Sequence, residues 1–201
     1  FAGSYTIAQN ALQKKLPELE VLYSCVFADE SIASNTSEGD FLFCANSSSK
    51  TDELLIDSFK NTTESIVIVG SENTRALVEK QSLSNRIKVV DNSADIDDLI
   101  SKSIAVIDVS ANQDECVALS NIAFQKGKTI ISLRCEFGHN ITVDDGNTGF
   151  VFDDNSDSFA DAIARATRDK KQLFEMSKNG MELLESNGIT KDAIVRRSIE
   201  Q

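Results

Sequence analysis

The chain has a single proline, Pro17, in 201 residues. Proline punctuates sandwiches and irregular loops, so its near absence favours long helices alternating with strands. No window approaches ~18 uninterrupted apolar residues, so no transmembrane segment is expected. There is one histidine, His139, and none of the four cysteines, Cys25, Cys44, Cys116 and Cys135, is paired as C-x-x-C. That composition argues against a zinc site, and no metal is expected. Buried reduced thiols are the simpler reading, and they suit a cytoplasmic protein. Positive charge is also scarce: Lys and Arg number 20 against 32 Asp and Glu, a net charge of −12. Phosphate backbones demand a concentrated positive surface, so neither a nucleic-acid groove nor an anionic membrane is an expected partner. The chain starts at Phe1, without Met and without a basic-then-apolar signal segment, as an excised piece of a longer protein would.

What is present is globular. Hydrophobic residues make up 41% and charged residues 26% of the chain, close to the averages of folded domains. Tyr5 to Leu16 reads as a helix, Leu19 to Phe27 as a strand and the Ser-rich stretch Ala28 to Asp40 as a loop. From there strands and helices take turns. Phe41 to Ala45, Ser65 to Gly70, Arg86 to Val90, Ile104 to Val109, Thr129 to Leu133 and Gly149 to Phe152 are short apolar runs. Between them lie helical spacings at 50–60, 72–81, 96–103 and 115–126, followed by amphipathic helices at 156–168, 170–185 and 191–199. Strands that are apolar on both faces, each followed by a helix, predict an α/β fold: a doubly wound, Rossmann-like parallel sheet. Residues 41–201 would form that domain. Residues 1–40 would be a linker or an added strand and helix on the same sheet.

Ligands of an open parallel sheet bind at the carboxyl ends of its strands. Asn46-Ser-Ser-Ser-Lys50 leads into a helix whose free amides attract anions, with Lys50 adding a charge. The bland reading of the same residues is a Ser-capped helix with a solvated lysine. Gly70-Ser-Glu-Asn lacks the full G-x-G-x-x-G, and no Walker A motif occurs, so a dinucleotide or P-loop reading is weak. Ser110 to Glu115 opens a helix with almost no charge, where acidic residues ordinarily complement the helix dipole. Glu136-Phe-Gly-His139 and Asp144-Asp-Gly-Asn-Thr-Gly149 are the remaining turns considered for this edge.

The order of these pieces resembles a known family. Lys50-x4-Leu55-Ile-Asp-Ser-Phe59 is followed by Ile66-Val-Ile-Val-Gly70, Ile87-Lys-Val-Val90, Asp98-Leu-Ile and Ile104-Ala-Val-Ile. Glu115 then precedes Ala123-Phe-Gln-Lys-Gly127-Lys-Thr-Ile-Ile, and Asp145-Gly-Asn-Thr-Gly149-Phe-Val-Phe152 leads to an amphipathic helix. Over roughly residues 41–187 the chain is similar to the C-terminal domain of GT-B glycosyltransferases, in the large retaining group that uses nucleotide-activated sugars. The resemblance implies a domain that holds a UDP- or GDP-sugar as substrate, with no cofactor. A separate N-terminal domain of the same protein would hold the acceptor, and a hexose would pass to a glycan or protein, as in cell-surface glycan synthesis. By the same resemblance Lys50 and the start of the Glu115 helix, with Cys116, Val117 and Ala118, would meet the diphosphate. Glu115 would face the sugar as the catalytic residue, and Gly70, Val90 and Asp91 would lie along the nucleotide, the base near Val90 and Asp91. Three positions depart from the pattern. The family's arginine would fall near Ala45, its second glutamate at Ile122 or Ala123, and its proline after Gly-Lys at Thr129. These departures keep a second reading open, a catalytically silent GT-B-like subunit that acts as a partner or acceptor-binding component of a glycosylation complex.

Overall fold

The computed structural model describes residues 39–45, 48–91, 93–110, 113–134 and 143–186; for residues 49 and 113–118 the backbone alone is described. The helix and strand expected within residues 1–38, the last helix at 191–199, and the turn Glu136 to His139 lie outside the described residues, as do Cys25 and Cys135. Cys44 is fully buried.

Six strands form one sheet: β1 (Leu42–Cys44), β2 (Ile66–Val69), β3 (Ile87–Val90), β4 (Ala105–Asp108), β5 (Thr129–Leu133) and β6 (Gly149–Phe152). All neighbours are parallel and their order is β3-β2-β1-β4-β5-β6. The chain builds outward from β1 to β3, then crosses back to lay β4 on the other side of β1, with Phe43 opposite Val106 and Cys44 opposite Ile107. The helices are α1 (Ser49–Phe59), α2 (Glu72–Lys80), α3 (Ile96–Lys102), α4 (Gln113–Gln125), α5 (Ser156–Arg168) and α6 (Lys170–Ser186).

The two-residue alternation of a strand splits its side chains between two cores. Leu42, Cys44, Ile66, Ile68, Ala105, Ile107, Ile131 and Leu133 point to one face, where they meet Leu55, Ile56 and Phe59 of α1 and Phe159, Ala162, Ile163 and Ala166 of α5. Phe43, Val67, Val69, Val106 and Ile130 point to the other, against Ile100 of α3 and Leu119, Ala123 and Phe124 of α4. The sheet is therefore covered on both sides, as the apolar strands require. Strand β3 is the exception: Lys88 is exposed and Val89 and Val90 are half-buried, because helices cover this edge less fully than they cover β6 at the other, where α5 and α6 pack. The spacing of α5, apolar at 159, 162, 163 and 166, is that of a one-faced helix; Asn155 caps it by accepting from the Ser158 N–H at 2.9 Å. Helix α4 starts two residues earlier than the sequence spacing suggests, at Gln113.

One sequence expectation is corrected. Asp144 to Gly149 was grouped with the turns that could face a ligand, yet it enters β6, so it lies at the amino end of the sheet. Its residues serve the backbone. The carbonyl of Asp144 accepts from the N–H of Asn147 and of Thr148, both at 3.0 Å, and Gly146 adopts φ +82°. Gly149 has no room for a side chain: a Cβ would lie 2.4 Å from the Ile130 carbonyl oxygen. Asp145 pairs with Arg165 of α5 at 3.2 Å, and Asn179 of α6 donates to Asn147 Oδ1 at 3.0 Å. The turn is a clamp that docks β6 and two helices.

Candidate functional site

The sheet reverses its winding between β1 and β4, and in such sheets a crevice opens beyond the carboxyl ends of those two strands. Each of β1, β2, β3 and β4 leads directly into a helix, so α1 to α4 all begin at this edge. The first amides of a helix lack intrahelical acceptors and carry the positive end of its dipole. The starts of α1 and α4, beside the switch point, suit it to an anion, whereas α3 opens on Asp95, Asp97 and Asp98.

The residues singled out from sequence are distributed along this edge. Lys50 is the second residue of α1 and exposed. Before it, Ser48 in extended conformation stops the helix from growing backwards, and its N–H donates to Thr51 Oγ1 at 2.9 Å. Gly70 follows β2; its N–H donates to the Val90 carbonyl at 3.0 Å, joining the ends of β2 and β3. Val90 closes β3 half-buried, and Asp91 beyond it is exposed. Hydrogen bonds from the Ser93 hydroxyl and then from the Ser93 N–H, the latter at 2.9 Å, hold the Asp91 carboxyl below the usual range. Glu115, Cys116, Val117 and Ala118 fall in the first two turns of α4, the helix that follows β4. Among the described residues, no group of three or more His, Cys, Asp or Glu side chains could hold a metal ion. Nor is any helix there long and apolar enough to cross a membrane.

Two buried carboxylates at this edge were not singled out from sequence. Asp108, the last residue of β4, is fully buried. Its Oδ1 accepts from the Ser110 N–H at 3.0 Å and from the Ser110 hydroxyl at 2.7 Å, and the Ser132 hydroxyl of β5 lies 3.5 Å from Oδ2. Its signal in the sequence was a lone charge inside the apolar run Ile104 to Val109. Asp52 is 4% exposed, and its Oδ2 accepts from the Thr74 hydroxyl at 2.7 Å. Position 52 shares the helical stripe of Leu55, Ile56 and Phe59, which is the pattern that could have revealed it.

The positions that depart from the family pattern are also placed. Ala45 directly follows β1 and is half-buried. Ala123 is fully buried and packs with Leu119 and Phe124, while Ile122 is half-buried. A glutamate at 123 would put an ionised group into that core, which is costly without a partner.

Comparison with known proteins agrees with this architecture. The family model "Glycosyl transferases group 1" matches residues 28–183. No curated protein matches the chain by sequence. The fold is similar to that of the pneumococcal O-GlcNAc transferase GtfA, solved with UDP and GlcNAc (TM-score 0.73, 14% identity, 97% of this chain and 43% of that one). It is similar also to a mutant of TarM from S. aureus, solved with fondaparinux, α-GlcNAc-glycerol and UDP (TM-score 0.72, 14% identity, 96% and 42%). A third similar structure is the C-terminal domain of a group 1 glycosyl transferase, LpcC, from Francisella tularensis (TM-score 0.57, 15% identity, 80% and 97%). The chain thus spans less than half the length of GtfA and TarM and most of an isolated C-terminal domain.

Proposed function

The chain belongs to the group 1 glycosyl transferases, and from that premise we propose that its carboxyl-edge crevice is the donor half of a retaining sugar transferase. The observation that carries the reading is that α1, with Lys50 in its first turn, and α4 both begin beside the β1/β4 switch point. A nucleotide diphosphate-sugar is the ligand this edge suits. Its two phosphates need a positive field, which helix-end amides and one exposed ammonium supply without requiring a basic surface overall. UDP is the first nucleotide to try, because the GtfA and TarM structures carry it; GDP-sugars are the second.

In this reading the base lies along Val90 and Asp91, the diphosphate at Lys50 and the start of α4, and the sugar at Glu115. As the bond between the sugar C1 and the β-phosphate oxygen breaks, its electron pair stays with the phosphate and negative charge builds up there. Preorganised donors at that point stabilise the transition state more than the ground state, which is how they accelerate transfer. A hexose would go to a glycan or protein acceptor held by a separate N-terminal domain of the same protein.

The test is calorimetric titration of the full-length protein with UDP-glucose, UDP-GlcNAc and GDP-mannose, with backbone amide shifts recorded on the same samples. The proposal expects binding by at least one, with shifts at 48–50, 70–71, 90–91 and 113–118. Absence of binding by all three, or shifts confined to another face, would overturn it and leave the silent-subunit reading.

A further inference from the structure

The two loops that flank β2 at the carboxyl edge are joined by one unbroken hydrogen-bonded chain. The Ser71 N–H donates to Thr74 Oγ1 at 3.0 Å, and the Thr74 N–H donates back to Ser71 Oγ at 3.4 Å, a reciprocal cap at the start of α2. The Thr74 hydroxyl hydrogen is committed elsewhere, to Asp52 Oδ2 of α1 at 2.7 Å. The Asp52 N–H donates to the Ser48 carbonyl at 2.8 Å, and the Ser48 N–H donates to Thr51 Oγ1 at 2.9 Å. Lys50 sits inside the bracket that Ser48, Thr51 and Asp52 form.

Several features show that the joint is built in. Thr74 is 2% exposed and Asp52 4%. A Cβ on Gly70 would stand 2.9 Å from the Cβ, Cγ2 and Oγ1 of Thr74, so the absence of a side chain at 70 lets Thr74 sit against the end of β2. No donor among the described residues reaches the buried Asp52 Oδ1. A carboxylate buried in an apolar helical stripe is a poor choice for stability alone, since an apolar residue there would cost less. Such local conflicts tend to be kept where function needs them.

We propose that Asp52 is a positioning residue for the diphosphate subsite: it ties the first turn of α1, which carries Lys50, to the cap of α2, so that the two helix starts hold one geometry. The inference rests on the donor-site reading above and adds a residue to it. Asp52 itself does not touch the ligand. It acts through the placement of Lys50, where displacement of a charged group by a fraction of an ångström already weakens a diphosphate contact.

The probe is UDP, titrated calorimetrically into the full-length protein. Thr74→Val keeps the shape of the side chain and removes the hydroxyl, so the bond to Asp52 goes. UDP affinity is expected to fall about tenfold, equivalent to about 1.4 kcal/mol, and Thr74→Ser to restore it to within about threefold. The Lys50→Ala background separates positioning from mere stability. If Asp52 and Thr74 act through Lys50, Thr74→Val should have little further effect there; if they only stabilise the fold, the two losses should add. Asp52→Leu, which removes the acceptor, should behave like Thr74→Val. Additive losses, or unchanged UDP affinity in Thr74→Val, would overturn the proposal. A second measurement does not depend on the ligand: amide hydrogen exchange of 50–52 in the unligated protein. Faster exchange there on Thr74→Val, a change made on the other helix, supports the joint, and unchanged exchange sinks it. A wild-type protein that ignores both UDP and GDP but shows this coupled exchange would count against the donor-site reading and the diphosphate role built on it, leaving the joint between the helices standing.

Discussion

Lys128 lies in the turn from α4 to β5, at the amino edge of the sheet, and is 1% exposed. Its ammonium donates to the Ser103 carbonyl at 2.8 Å. Burial disfavours the charged form and pulls its pKa from 10.5 down to about 8. Unfolding returns the side chain to water and to its ordinary value. Between about pH 8 and pH 10.5 the unfolded chain therefore holds a proton that the folded chain has released. Stability must rise with pH through that window, and below about pH 8 the folded state bears the full cost of the buried charge. At ~1.4 kcal/mol per pH unit the whole window is worth roughly 3 kcal/mol, an upper figure for a group whose surroundings can relax. Urea denaturation of the wild type and of Lys128→Met from pH 7 to pH 10 measures it. Methionine removes the titration and the bond to Ser103, and loss of that bond moves the variant's curve vertically without tilting it. Other ionisable groups titrate in both proteins and cancel in the difference. The wild type should gain about 2–3 kcal/mol on the variant across the series. Curves that stay parallel within about 0.5 kcal/mol would mean that the buried lysine keeps its proton, and the reasoning would fail.

Phe159 stacks on Phe152 with ring centres 4.2 Å apart and meets Phe59 edge-on at 6.3 Å, so Phe159→Ala should cost about 3–5 kcal/mol in urea denaturation; a loss under about 1 kcal/mol would show that the aromatic cluster is not the joint between α1, α5 and the sheet. Gly149→Ala must push a methyl to 2.4 Å from the Ile130 carbonyl oxygen, and a loss of about 1–3 kcal/mol or more is expected by the same measurement. Lys50→Ala should lower kcat/KM for donor about 100-fold and leave stability within about 0.5 kcal/mol, since the side chain is exposed. A change in turnover of no more than about threefold would reduce Lys50 to a solvated helix-start lysine.

The fold was legible because its strongest determinants are periodic. Strands with apolar residues on both faces, such as Ile66 to Val69, can only be central strands of a covered sheet, and the helical stripes of α1 and α5 supply the cover. The edge at β3 was less legible for a physical reason: β3 ends in Val89 and Val90, which look as buried as any core pair, yet cover by helices from elsewhere in the chain decides their burial, and it is fuller on β6 than on β3. The site was legible only as a set of turns. Which turn lies at which end of the sheet follows from whether it leaves or enters a strand, and Asp144 to Gly149, which precedes the strand Gly149 to Phe152, falls at the amino end by that rule. Asp52 and Asp108 escaped notice because an acidic residue near a helix start or strand end is usually solvated. Only the partner hydroxyls from elements distant in sequence, Thr74 and Ser132, show that these two are buried within polar networks.

The two edges of the sheet carry different kinds of constraint, and this bears on how far family resemblance reaches. The most family-like stretch, Asp145 to Phe152, lies at the amino edge, where its glycines and carboxylates answer steric and backbone demands: Gly149 makes room for Ile130, Gly146 takes a positive φ, and Asp145 holds both Arg165 and the Val151 N–H. Such demands persist in any chain with this fold, whether or not it transfers a sugar. The departures from the pattern fall elsewhere, at Ala45 beside the crevice and at Ile122 or Ala123 on α4. There chemistry sets the residue type, and packing can close over the change, as Ala123 does against Leu119 and Phe124. A sequence can therefore keep the family's fold signature intact while its ligand edge is rebuilt. In the donor-site reading, an alanine where the resemblance expects an arginine makes the positive field at the diphosphate depend more heavily on Lys50 and on whatever fixes the first turn of α1. That reading expects substitutions at Lys50, Asp52 and Thr74 to report on function, and substitutions in the 144–149 turn to report on stability.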